Sequence, residues 1–186
     1  MQRARNDDLY AQLERLPESL TGEIIFGQIH THPRPGGKHI LVCSNLNSEL
    51  HGPFQKGKDG PGGWWILQEP EVHLALDQEV VVPDLAGWRK ERLPEIPESH
   101  KFTVIPDWIC EIFSPSTETF DREIKKPLYA RYGVRYLWLI HPVQKTLEAY
   151  KLVGSEWVLQ AALSAKDRLA VEPFETVEFS VSEIME

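Results

Sequence analysis

IPDWICEIFSPSTETFDREIKKPLYARYGVRYLWLI, residues 105–140, carries the topology of this chain. It opens with an apolar run of strand length, residues 105–113, and continues through a stretch of partly helical spacing, residues 118–132. Gly133 follows, the residue that most easily takes the left-handed conformation past a helix end, and VRYLWLI, residues 134–140, is a second apolar strand. Two buried strands joined by a helix make a crossover, and a crossover brings the second strand back parallel to the first. Pro127 sits within the helical stretch, and a proline in a helix interior costs about 3 kcal/mol, so the regular helix is expected to begin near Lys126 with the ring in its first turn. One residue breaks the apolar pattern: Glu111, a carboxylate two positions before the end of the first strand.

The flanking segments read as additions to that unit. Residues 7–16 place Leu9, Tyr10, Leu13 and Leu16 at helical spacing before Pro17 ends the pattern. GEIIFGQIHTH, residues 22–32, alternates as a strand. After PRPGGKH, Ile40, Cys43, Leu46 and Leu50 share one face of a helix that His51-Gly52-Pro53 is expected to stop. FQKGKDGPGG, residues 54–63, reads as a mobile surface loop suited to substrate access. WWIL is strand-like, and VHLAL and EVVVPDLAGW, residues 72–76 and 79–88, form a hairpin about Asp77 and Gln78. The proline-rich residues 90–101 are irregular, and TLEAYKL and EWVLQAAL make a second hairpin about Gly154-Ser155.

Composition bounds the function classes. The chain has 186 residues, 41% hydrophobic and 26% charged, which fits one globular domain, residues 1–186, with a substantial core. No window approaches 18 uncharged apolar residues and the start MQRARNDDLYAQ lacks an apolar centre, so the expectation is a cytoplasmic protein with no membrane partner. Cys43 and Cys110 read as reduced core thiols. A formal charge of −8 excludes nonspecific coating of nucleic acid through a broad basic surface, though not a locally basic cleft.

Ligands of open sheets with parallel strands bind beyond the carboxyl ends of those strands, where Glu111 lies. An isolated carboxylate in a dry strand would stay protonated, whereas one beside a cation keeps its charge. Asp84 is a second strand-borne carboxylate, after VVVP and before the turn at Gly87. Two such acids brought together make a hard-oxygen site suited to magnesium, which takes one or two carboxylates with water and phosphate. Lys125, with Asp121 four residues before it and Tyr129 four after, can swing from the crossover over the strand end that bears Glu111.

VVPDLAGW, PDWICEIFSPST and DREIKKPLYARYGVRYLWLIHP together resemble the Uma family of restriction-endonuclease-like proteins, bacterial members of the PD-(D/E)XK nuclease superfamily. The resemblance runs from about Gly22 to Phe179 and is most specific over residues 106–142. It implies an α/β restriction-endonuclease-like core, a mixed β-sheet flanked by helices, here with β-hairpin additions. It also implies an acid, acid and lysine site that hydrolyses phosphodiesters of nucleic acid, DNA before RNA, with Mg2+ or in its place Mn2+. The Asp of the PD motif falls on Asp84, the second acid on Glu111 and the lysine on Lys125, with Glu23 matching a further family acid. Metal ligands would be Asp84, Glu111 and the backbone carbonyl of Ile112, and Tyr129 would position the lysine or touch phosphate. Phe113 departs from the wider superfamily, which keeps its lysine at that place on the strand. Enzymes of this kind that cut both strands of a duplex often pair two copies, so a homodimer is the expected assembly.

Other readings compete for the same residues. A non-catalytic binding or regulatory module could retain the fold with a vestigial acidic patch. His30, His32 and His39 in HTHPRPGGKH could hold a transition metal on a β-rich fold, although an exposed loop explains them more simply. Of the six tryptophans, Trp64 and Trp65 are the candidates for base stacking, and the rest are expected in the core. Arg89, Lys90 and Arg92, with Arg122, Lys125, Lys126, Arg131 and Arg135, follow the two acidic strands and could flank a phosphate track.

Overall fold

A computed structural model of the chain describes residues 9–186. The strands, in chain order, are β1 (Leu20–Ile25), β2 (Gln28–Pro33), β3 (Trp64–Gln68), β4 (Glu71–Ala75), β5 (Glu79–Val81), β6 (Leu85–Arg89), β7 (Lys101–Phe102), β8 (Trp108–Ile112), β9 (Tyr136–His141), β10 (Thr146–Val153), β11 (Glu156–Ser164), β12 (Arg168–Leu169) and β13 (Phe179–Ser180). Helix α1 spans residues 9–13; positions 7 and 8 of the expected helix lie outside the described residues. Helix α2 is Gly37–Leu50, and α4 is Val181–Met185. Helix α3 is continuous but changes pitch: an α turn at Glu118–Phe120, a π turn at Asp121–Lys125, then α-helix at Lys126–Arg131.

Six strands form a sheet in the order β11-β10-β9-β8-β6-β3, and five form another in the order β2-β1-β5-β4-β7. The expected crossover is present: β8 and β9 are parallel, in register from Trp108 opposite Tyr136 to Ile112 opposite Ile140. Every other pairing in the six-stranded sheet is antiparallel, so the sheet is mixed and flanked by helices. Alternation along β8 sorts its side chains to two cores. Trp108, Cys110 and Ile112 pack with Val42, Cys43, Leu46 and Leu50 of α2 and Ile184 of α4. Ile109 and Phe113 pack on the other face with Leu128 and Tyr129 of α3. Glu111 shares that second parity and so faces α3.

Several expectations are corrected. Residues 22–32 are a hairpin, not one strand: Phe26 (φ 51°) and Gly27 (φ 73°) both take positive φ, and β1 turns back on itself as β2. Residues 79–88 are split between the two sheets, β5 in one and β6 in the other, with the break at Val82-Pro83-Asp84. Proline cannot donate to a ladder, which explains why pairing ends there. His51-Gly52-Pro53 does not stop α2; it widens the helix into a π turn, His51–Gln55, that buries Phe54. Ile40 is exposed, and Val42 joins the buried face in its stead. The glycine-rich loop is folded onto that π turn: the Gly62 N–H donates to the Pro53 carbonyl at 2.9 Å, and a Cβ on Gly60 would lie 2.4 Å from Pro53 Cβ. It is packed rather than a gate to the site. Trp64 is buried with Trp88, Trp108 and Trp138, so it offers no stacking face to a base. Cys43 and Cys110 are buried free thiols. No helix among the described residues is long and apolar enough to cross a membrane.

Candidate active site

The β6–β8 register, Leu85 opposite Cys110 and Ala86 opposite Ile109, extends one step to set Asp84 against Glu111. The Ile112 N–H donates to Asp84 Oδ2 at 2.6 Å, fastening the acid to the end of β8. The PD dipeptide thus sits where the chain leaves one sheet for the other, opposite the strand that carries the second acid.

Lys125 enters from α3. Its Nζ lies 2.8 Å from Glu111 Oε1, 2.9 Å from Glu23 Oε1 on β1 and 3.9 Å from Asp121 Oδ1 one turn earlier. The Tyr129 hydroxyl donates to the same Glu111 oxygen. Glu23 also accepts the Val82 N–H at 2.8 Å, so β1, the sheet break, β8 and α3 all meet at this lysine. Lys125 is only 4% exposed, and a buried ammonium persists only where paired. Its neighbour Lys126 turns away, its ammonium 3.5 Å above the Tyr150 ring. Consecutive residues of a helix point about 100° apart, which is enough to send one lysine to the acids and its neighbour to the ring.

These groups line one wall of a cleft of about 260 Å³, with Asp84, Ile112, Ser114, Thr117 and Asp121. Asp84, Glu111 and Lys125 are brought together there, and Tyr129 stands behind Glu111 at its base. Among the described residues neither Asp84 nor Glu111 is paired with arginine; Asp107 is, 2.8 Å from Arg92. Several other basic residues are engaged elsewhere, Arg89 over Trp64, Lys90 over Trp65 and Arg122 paired to Glu148 at 2.9 Å, while Arg131 and Arg135 are exposed. Of the residues expected to flank a phosphate track, Lys125 lines the cleft, and Arg34 joins it there.

The histidines are not an exposed loop. His32 Nε2 lies 3.4 Å from Glu23 Oε2 and His39 Nε2 lies 3.0 Å from Asp84 Oδ1, each lining the cleft beside an acid, while His30 and His32 pack on Phe120. They do not converge as a ligand set: among the described residues no three His, Cys, Asp or Glu side chains are grouped to hold a metal ion. Their two-residue spacing was readable in HTHPRPGGKH; which acids they face depends on the hairpin and the sheet break.

Burial and charge act in opposite directions here. Burial raises the Glu23 carboxyl, but Lys125, His32 and the Val82 N–H overcome it and bring its pKa down to about 2. Glu111 goes the other way: burial, reinforced by the charges of Asp121, Asp84 and Glu23, outweighs Lys125 and lifts it well above the usual carboxylate range. Burial likewise lifts Asp121 to about 6 against the pull of Lys125. Burial lowers Lys125, but Glu111, Glu23, Tyr129 and Asp121 reverse this and keep it protonated. Three carboxylates, Glu23, Glu111 and Asp121, crowd one ammonium with Asp84 close by Glu111, and the crowding of acids is what a hard divalent cation would relieve. The donor set fits such an ion: carboxylates of Asp84 and Glu111 and the main chain of Ile112 at the strand end, with room in the cleft for water and phosphate oxygens.

Comparison with curated proteins returns no match. Among solved structures, one described as a "putative nuclease belonging to DUF820" from Anabaena variabilis ATCC 29413 is similar to this chain with a TM-score of 0.70, at 22% identity, over 95% of this chain and 96% of that one. The likeness shows that the two share a fold, a mixed sheet with flanking helices. A family model, Uma2, described as "Putative restriction endonuclease", matches residues 7–182, a span that contains the split PD strand, the β8–α3–β9 crossover and every acid around Lys125. This chain belongs to the Uma2 family.

Proposed function

We propose that the chain is a divalent-metal-dependent nuclease that hydrolyses phosphodiester bonds, in DNA before RNA, with Asp84, Glu111 and the Ile112 carbonyl oxygen holding Mg2+ or Mn2+. The observation that carries this reading is Lys125, a buried ammonium 2.8 Å from Glu111 and 2.9 Å from Glu23 at the edge of a cleft that also holds Asp84. A bound divalent ion would polarise the phosphodiester and lower the pKa of a water.

The chain's own residues supply the rest. Lys125 stays protonated among its acids, so it acts as a charge and hydrogen-bond donor, not as a base. Of its three N–H bonds two are directed at Glu23 and Glu111, and the third is left for a phosphoryl oxygen or the attacking water. Tyr129 holds Glu111 by its hydroxyl and fixes which oxygen faces the lysine. This is a PD-(D/E)XK arrangement with its lysine moved from the strand, where Phe113 stands, to the crossover helix.

The test is cleavage of single-stranded DNA, duplex DNA and RNA with Mg2+ or Mn2+, comparing the native chain with Asp84→Asn, Glu111→Gln and Lys125→Gln, folding checked by circular dichroism. The expected result is metal-dependent cleavage that each substitution lowers by about 10²-fold to 10³-fold, the usual loss for a preorganised charge-stabilising group. Equal background activity in all four proteins would leave the non-catalytic module as the reading.

A further inference from the structure

His39 lines the cleft but has no role in the reaction proposed above, and its geometry ties it to one residue. It lies in the first turn of α2, and its Nε2 is 3.0 Å from Asp84 Oδ1. The other oxygen of that carboxylate takes the Ile112 N–H. Asp84 is therefore held at both oxygens, by α2 on one side and by β8 on the other, which fixes the plane of the group.

The second ring nitrogen decides what the histidine is for. Nδ1 is buried and has no hydrogen-bond partner among the described residues, so the ring's polar contact in this structure is the one to Asp84. A histidine kept for packing would be expected to satisfy that nitrogen or turn it to water. Nε2 is thus the ring nitrogen that faces the carboxylate, and among the described residues no competing hydrogen bond at Nδ1 turns the ring away from it.

We infer that His39 is a positioning residue for Asp84, orienting the acid for a divalent cation. This rests on the reading of Asp84 as a cation-holding acid. Groups that orient metal ligands are worth 10-fold to 100-fold in metal affinity.

The experiment titrates Mn2+ into the full chain by calorimetry, without nucleic acid, for native protein and for His39→Ala, His39→Asn and His39→Gln. Glutamine can place an N–H near the Nε2 position, whereas the asparagine amide stops short of it. Weakening of about 10-fold to 100-fold in the alanine and asparagine variants, with glutamine within about 3-fold of native, supports the role. If alanine fails to fold, the contrast between asparagine and glutamine decides. Native-like affinity in all variants, equal weakening in all, or tighter binding without the ring overturns it, and in each case metal-dependent activity of the native chain leaves the nuclease reading standing. Absence of Mn2+ binding by the native chain overturns both.

Discussion

Lys125 is the side chain on which the site's stability turns. Removing one partner of a buried ion pair leaves the other uncompensated, at a cost of about 3–5 kcal/mol. Lys125→Met should lose stability of that order in urea denaturation at pH 7, and Glu23→Gln on that background should recover part of it, because the two changes share one interaction. The acids respond to pH with opposite signs. Glu23 has its folded pKa depressed to about 2 from 4.5, so its contribution is present above pH 4.5 and is lost as pH falls toward 2. Asp121 is raised from 3.8 to about 6, so folding takes up a proton there, and above pH 6 its charged form weighs against the fold. Asp121→Asn should therefore add on the order of 2 kcal/mol at pH 8, without added divalent ions, and nothing below pH 4; urea midpoints at the two pH values check this. The odd carboxylate in an apolar strand was visible in CEIFSPST. That the same lysine would also take Glu23 was not, because β1 and α3 are nearly a hundred residues apart and meet only through packing.

Local chemistry explains the shape of the connections. The Lys126 N–H reaches back to the Asp121 carbonyl, five residues away, and the wide turn sits directly before Pro127, whose ring lacks the N–H a regular helix would use. Proline announces a disturbance in the sequence, but its form, a π turn at Asp121–Lys125, is seen only in the structure. Gly133 closes the helix at φ 77°, and a Cβ there would touch nothing within 4 Å. Gly133→Ala should accordingly cost only the backbone term, about 1–2 kcal/mol, seen as a lower urea midpoint with an unchanged slope. At the β1–β2 turn the same physics runs in reverse. Phe26 is exposed and held at φ 51°, a conformation asparagine takes far more readily, and Phe26→Asn should raise the melting temperature by a few degrees.

The fold as an assembly places an acidic cleft in an acidic protein. With 28 acidic against 20 basic residues, and with Arg34 and Lys125 the lysine and arginine side chains that line the cleft, few cations face a phosphate bound there. Binding to a DNA oligonucleotide should then show a shallow salt dependence, log K falling with log salt at a slope of about −2 to −3, as for two or three phosphate contacts; fluorescence anisotropy from 50 to 200 mM salt measures it, and a slope of about −6 would contradict it. The crossover, its parallel strands, its glycine cap and the two hairpins about Asp77-Gln78 and Gly154-Ser155 were legible from periodicity and turn residues, because those signals are local. Where VVVPDLAG divides between two sheets, where GEIIFGQIHTH folds on itself, and which histidine stands beside which acid were not. Those outcomes depend on which distant surfaces bury one another and on where a charged group, once buried, can find its partner.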